Sequence, residues 1–263
     1  VHNVGEDHYA TAKKFRTFEY MSALKEEGIA KQIGFSFHDS AALLDRVLTE
    51  HPEVDFVQLQ LNYLDWDNAG IQSRLCYETA KKHKKPVVVM EPVKGGTLAK
   101  LPAEAEKLLR ALDPNATNAS WAIRFAAGLD GVKTVLSGVS NIAQMRDTIS
   151  FMRDFTPLTE EEKAAVFRVA DIVNGAVSIP CTGCGYCVDG CPKHIAIPTY
   201  FSLYNAEKIA HNKGFSTQQT YYDNLIKSHG KASDCIRCKK CERSCPQHLD
   251  ITGYLKKVAE NFE

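Results

Sequence analysis

The stretch KQIGFSFHDSAALLDRVLTEHPEVDFVQLQL, residues 31–61, decides how the first part of the chain folds. Two short apolar runs, KQIGFS (31–36) and DFVQLQL (55–61), flank the amphipathic segment SAALLDRVLTE. The runs have strand length and content, and the segment between them has helical spacing. The alternation continues along the chain. PVVVMEP (86–92) and VKTVLSG (132–138) read as strands; TAKKFRTFEYMSALKEEG, NAGIQSRLCYETAKKH, NASWAIRFAAG and NIAQMRDTISFMR read as helices. In the first of these, Phe15, Phe18, Met21 and Leu24 at three-residue steps predict one buried face, and Gly28 predicts the stop. Strand, helix and strand in repetition imply parallel strands joined by right-handed crossovers. The pattern fits a doubly wound sheet or part of a (β/α) barrel. No G-x-G-x-x-G opens a helix, which removes the best support for a dinucleotide-binding sheet.

Composition sets wider bounds. The chain has 263 residues, 44% of them apolar, enough for a sizeable core in one or two domains. Lys+Arg 32 balances Asp+Glu 32, which argues against nucleic-acid binding through a broad basic surface. No apolar run approaches the ~20 residues of a membrane span. VHNVGEDHYATAKKF has neither the basic start nor the apolar stretch of a signal peptide. The expectation is a soluble, cytoplasmic protein that engages neither nucleic acid nor membrane. Residues TEEEKAAVFRVADIVNG place Thr159 and Glu162 at capping-box spacing after Pro157, and read as a connector helix.

Eight of the nine cysteines fall in two motifs of one spacing, CTGCGYCVDGCP (181–192) and CIRCKKCERSCP (235–246). Cys76 stands apart and reads as a small buried apolar residue. Disulfides fit poorly with a chain this long that shows no secretory signal. In C-x2-C-x2-C-x3-C-P, three cysteines at three-residue steps let one loop wrap an iron–sulfur cluster. Small residues such as Thr182, Gly183 and Gly185 let backbone amides turn toward the sulfurs. The fourth cysteine leaves the loop, and in the two-cluster arrangement it serves the other cluster. The expected ligand sets are Cys181, Cys184, Cys187 and Cys245 for one [4Fe–4S] cluster, and Cys235, Cys238, Cys241 and Cys191 for the second. Structural zinc is the competing reading, but its paired C-x2-C knuckles have no place for a third cysteine in step. Between the motifs, IPTYFSLYNAEKIAHN and STQQTYYDNLIKSHG read as two helices. Arg237, Lys239, Lys240 and Arg243 crowd the second motif, as a solvated face or as a dock for an acidic redox partner protein.

Resemblance extends this reading. The helical spacer resembles the alpha-helical ferredoxin domains of respiratory dehydrogenase subunits. VHN, KQIGFSFHD, FVQLQLNYLD, VVVMEPVKGG, VLSGVSNIAQMRDTI and PLTEEE, in that order, resemble the later part of the aldo/keto reductase barrel. The whole chain is similar to aldo/keto reductases that carry a C-terminal 4Fe–4S ferredoxin-type domain. The fold this implies is α/β, a partial (β/α)8 TIM barrel of later strands only, followed by an all-α ferredoxin-like domain. Its boundaries would be a barrel portion over residues 1–155, a connector over 156–178 and the iron–sulfur domain over 179–263.

The same resemblance implies a nicotinamide cofactor, NADP or NAD, at the C-terminal mouth of the barrel, and a small-molecule carbonyl substrate. His2 matches the family's catalytic histidine, which orients the carbonyl. Ser36 and Gln58 match positions that bind the nicotinamide carboxamide. Ser137, Gly138, Ser140 and Asn141 match the loop that holds the cofactor's phosphates or adenosine ribose. Gln144 falls near the place of an arginine for the 2′-phosphate. Phe37, Met90 and Gln144 depart from the family pattern and unsettle an NADP preference. The general-acid tyrosine, with its aspartate and lysine, has no counterpart here. A closed barrel takes eight strands and ~250 residues, against four complete strands and a stump. The expectation is a fragment of a longer chain, or a barrel completed by another copy. The implied activity is NAD(P)H-dependent carbonyl reduction, with the clusters in electron transfer or structural support. The alternative is a ferredoxin-type electron-transfer protein with a non-catalytic barrel remnant.

Overall fold

The computed structural model describes residues 1–175, 178–181, 183–209, 216–245 and 248–263. The chain divides into two compact units, Val1–Asp67 with Gln72–Gly175, and Asn68–Ile71 with Ala176–Glu263. Among the described residues, no helix is long and apolar enough to cross a membrane.

The first unit opens with α1 (Glu6–Lys14) and α2 (Thr17–Glu26), where the sequence predicts one helix over 11–28. Arg16 adopts a left-handed backbone, φ 53°, which ends the hydrogen-bond ladder and turns Phe15 away from the face of Phe18. Phe15 is consequently 69% exposed and Phe18 only 1%. Three-residue spacing is satisfied by either arrangement, so periodicity alone misses the break. Gly28, at φ 76°, follows α2 as expected, and the amides of Ile29 and Ala30 donate to the Leu24 carbonyl.

Thereafter strands and helices alternate: β1 (Gly34–Ser36), α3 (Ala41–Glu50), β2 (Phe56–Gln60), α4 (Ser73–Lys82) and β3 (Val87–Met90). A 3₁₀ segment, Lys94–Ala99, leads to α5 (Ala103–Leu112), α6 (Asn118–Ala127), β4 (Val132–Val135), α7 (Ile142–Met152) and α8 (Glu160–Gly175). The four strands pair in parallel in chain order, β1-β2-β3-β4. A doubly wound sheet reverses its order at a switch point; this one does not, and sequential order is that of a barrel wall. Residues 1–4 extend the β1 edge as the expected stump. The Val1 ammonium donates to Gly34 O (2.7 Å), Val4 N–H donates to Ser36 O (2.7 Å), and Val4 bridges Phe37 in parallel.

Strand alternation sorts the side chains. Phe35, Phe37, Val57, Leu59, Val87 and Val89 pack with Phe18, Leu44, Val47 and Ala80 of the flanking helices. The intervening Ser36, Gln58, Gln60, Val88 and Met90 face the other way. α8 begins with the reciprocal cap read from sequence: Thr159 N–H donates to Glu162 (2.7 Å) and Glu162 N–H to Thr159 Oγ1 (3.2 Å). Read as a connector, this helix packs against α5 and α6 within the first unit.

In the second unit, α9 (Ile197–Ile209) and α10 (Thr217–Leu225) are the two helices expected between the motifs. Residues 210–212 of the first helical reading lie outside the described residues, as do Thr182 and Pro246. The unit adds a 3₁₀ turn (Ala232–Asp234), a one-turn α11 (Lys240–Arg243) and α12 (Ile251–Phe262). Tyr200, Phe201, Tyr222, Leu255, Val258 and Phe262 form its core, with the Tyr222 and Phe262 rings stacked at 4.9 Å.

Two buried polar features of the first unit bear on stability. Lys94 and Asp65, each about 1% exposed, form an ion pair at 2.5 Å. Gln60 and Asn62 both donate to the second Asp65 oxygen at 2.9 Å, and Asn62 also reaches Glu91 O at 3.2 Å. The turn that brings Lys94 inward runs through left-handed Glu91, Lys94, Gly95 and Gly96, the last at φ 98°, where a side chain would be strained. His38 is also buried. Burial, with His2 nearby, lowers its pKa from 6.5 to about 4.

Lys94→Met leaves Asp65 charged and buried, and urea unfolding should register a loss of about 3–5 kcal/mol; Lys94→Met with Asp65→Leu should recover most of it. For His38 the folded value lies below the unfolded one, so its neutral form favours folding and stability falls as pH drops from 6.5 toward 4. His38→Gln should flatten that acid limb, reducing the loss by up to about 3 kcal/mol in thermal scans across that window.

Candidate functional site

The first unit gathers several of the sequence-predicted residues on the sheet face opposite its helices. Ser36 and Gln58 are register partners of adjacent parallel strands, so they sit side by side on one face. Ser36 Oγ accepts the Asn3 amide at 2.7 Å, which leaves its hydroxyl hydrogen free to donate elsewhere. Gln58 Nε2 meets the Met90 sulfur at 3.3 Å, leaving its carbonyl oxygen turned to acceptance. This sheet face therefore presents a donor beside an acceptor, the complement of a carboxamide. His2, exposed, lies close enough to His38 to disfavour its charging.

Ser137, Gly138, Ser140 and Gln144 line a separate cavity of about 430 Å³ at the C-terminal ends of β3 and β4. Its other walls include Glu91, Gly95, Gly96 and Asp147. Asn141 caps α7 by accepting the Gln144 amide at 3.0 Å, so its role is to shape the loop. Gln144 Oε1 accepts from Ser140 N (2.8 Å) and from Ser140 Oγ (3.1 Å), holding the loop closed on itself. Asp147 is held by the Thr117 hydroxyl at 2.7 Å. Small residues and the amino-terminal end of a helix suit such a cavity to polar, oxygen-rich groups of a ligand.

Sequence reading did not single out Asn3, His38, or the Gln60–Asn62–Asp65–Lys94 network. Parity would have found Gln60, two residues beyond Gln58 on one strand. The partnership of Asp65 with Lys94 carries no such local signal.

In the second unit the eight motif cysteines line two cavities. Cys181, Cys184, Cys187 and Cys245 surround one, closed by Ile197, Phe201 and Leu249. Cys191, Cys235, Cys238 and Cys241 surround the other, closed by Ile195 and Leu255. Each cavity thus takes three cysteines from one motif and the fourth from the other. The third cysteines, Cys187 and Cys241, are buried, and the second, Cys184 and Cys238, are exposed. Burial, reinforced by neighbouring thiols, pushes Cys187 up to about 12; burial is also the largest cause of the rise of Cys241 to about 11. No group of three or more described His, Cys, Asp or Glu side chains is gathered to hold a lone metal ion. Four thiols around an apolar cavity fit the four-cysteine ligation of an iron–sulfur cluster.

The two loops share a backbone. Gly183 and Gly185 are left-handed in the first, at φ 72° and 82°; Arg237 and Lys239 occupy the same steps in the second, at φ 54° and 57°. His194 and His248, three residues beyond the fourth cysteines, are left-handed as well. CPKHIAI and CPQHLDI then lead into α9 and α12. The repeat is therefore longer than the cysteine spacing alone reveals. Holding a residue with a side chain in this region costs about 1–2 kcal/mol.

Comparisons with known proteins agree with this division. Residues 180–250 match the family model for a 4Fe-4S dicluster domain. The aldo-keto reductase AKR11C1 from Bacillus halodurans, holo form, superposes with a TM-score of 0.51 at 23% identity, over 64% of this chain and 56% of that one. Its apo form gives 0.47 at 22%, over 58% and 56%. The thermostable aldo-keto reductase Tm1743, in complex with the inhibitor epalrestat, gives 0.47 at 18%, over 58% and 53%. The chain thus spans a little over half the length of these structures. Comparison with curated proteins found no match. Residues 1–171 match the aldo/keto reductase family model, and with that share of its length matched the chain belongs to the aldo/keto reductase family.

Proposed function

We propose that this chain works in an iron–sulfur oxidoreductase that reduces a small-molecule carbonyl with NADPH or NADH, its second unit an all-α ferredoxin-like domain holding two [4Fe–4S] clusters. The observation that carries the proposal is the pair of cysteine quartets, each lining its own apolar cavity and each borrowing one ligand from the other motif. When bound, a nicotinamide supplies a two-electron hydride and each cluster supplies single electrons. Ser36 would donate to the carboxamide oxygen and Gln58 accept from its nitrogen, fixing which ring face meets the substrate. His2, exposed at the strand end, would orient the carbonyl oxygen. The loop from Ser137 to Asn141, with Gln144, would hold the adenosine or phosphate end. Cytoplasmic location and a redox partner protein belong to the same proposal.

Three measurements test it. Iron and acid-labile sulfide should each come to about eight per chain in anaerobically reconstituted protein; zinc without sulfide overturns the cluster assignment. Cys245→Ser should abolish the cluster of the first loop and Cys191→Ser that of the second, read by the electron paramagnetic resonance of each reduced variant. If each substitution strikes only its own loop, the crossing is wrong. Ser36→Ala and Gln58→Leu should each weaken NAD(P)H binding about tenfold by cofactor fluorescence, the cost of one hydrogen bond. Protein that exchanges electrons with a dye but never binds a dinucleotide would leave only the electron-transfer role.

A further inference from the structure

The two cysteine loops share a fold but differ in charge, and the difference sits at backbone positions that favour glycine. Where the first loop has left-handed Gly183 and Gly185, the second has Arg237 and Lys239. Lys240 and Arg243 flank them, Lys193 lines the same cavity, and all five are exposed. Within 235–245 the one acid is Glu242. It is engaged by the Thr252 hydroxyl at 2.7 Å and by Lys239 at 3.4 Å. The corresponding stretch of the first motif, 181–191, has no lysine or arginine and one acid, Asp189.

Cations stand here where glycine serves the twin loop, so the second loop carries a positive charge that its backbone conformation does not require. Exposed Cys238 lines one cavity with Lys193 and Lys239, and Ile236, 59% exposed, lines it as well. An exposed apolar residue among exposed cations suits transient docking: the charge steers the encounter and the apolar residue completes the contact. An acidic protein complements this charge. With Cys238 read as an exposed cluster ligand, a one-electron carrier is the fitting class.

We propose that the second cysteine loop is the docking face for an acidic one-electron carrier protein, recognised by Lys193, Arg237, Lys239, Lys240 and Arg243. This rests on the reading that the quartets hold clusters.

The test is calorimetric titration of cluster-loaded protein with a strongly acidic flavodoxin at low and at moderate salt. Binding should weaken as salt rises. Arg237→Gly with Lys239→Gly copies the first loop's backbone, so the variant should keep its iron and unfold at the same or a higher temperature while binding flavodoxin about tenfold more weakly. Binding within twofold of the parent overturns the proposal. So does an equal loss in Lys256→Ala with Lys257→Ala, exposed lysines of α12, or tighter binding of a single-stranded oligonucleotide or phosphatidylserine vesicles than of flavodoxin. Iron and sulfide analysis stands apart: its failure removes the cluster reading, whereas lost docking with intact clusters removes this one.

Discussion

Parallel strand register is the constraint on which the first unit depends. Gly34 opposite Phe56 sets every later partner along β1 and β2, and the two-residue period then sorts side chains by face. Phe35 and Val57 meet the helices, while Ser36 and Gln58 meet each other on the far side. A slip of one residue would exchange the faces, driving Ser36 into the core built on Phe18 and Val47. The same register runs through residues 1–4, where the Asn3 amide donates to the Ser36 hydroxyl oxygen and so fixes how that hydroxyl is turned. Site and core are two outcomes of one alignment.

Repetition takes the place of register in the second unit. Each loop needs left-handed residues at matching steps to fold its cysteines inward, and each is followed by a helix whose first isoleucine, Ile197 or Ile251, is buried. Because each cavity draws one cysteine from the other motif, neither loop completes its cavity alone. The crossing ties α9 and α12 into one core with Tyr200, Tyr222 and Phe262. Under the proposed function the two units would count electrons differently, since hydride moves a pair and a cluster moves one.

Particular residues show where sequence reading succeeds. The four strands, the Thr159–Glu162 cap, the stop at Gly28 and the helices flanking residues 210–215 all follow from neighbours a few positions apart. Motif spacing is local too, which is why the eight cysteines could be named in advance, whereas Ser36 and Gln58 were named through resemblance to the family. The missed features are of another kind. Phe15 lies outside because Arg16 breaks the helix, and no periodicity distinguishes that break from a continuous turn. α8 reads as a connector until its packing on α5 and α6 is seen.

What the sequence by itself determined is therefore what short-range physics controls: element type, helix caps, turn positions and the ligand spacing of each cysteine loop. Tertiary structure alone decided which distant groups meet. Asp65 and Lys94 stand 29 positions apart, and only the folded sheet buries them together. His38 is ordinary in the sequence and becomes a neutral, buried imidazole through its surroundings. The charge contrast between the loops acquires meaning once Arg237 and Lys239 are seen to hold the backbone of Gly183 and Gly185. Burial and long-range pairing depend on the whole chain's path, and no window of neighbouring residues contains that path.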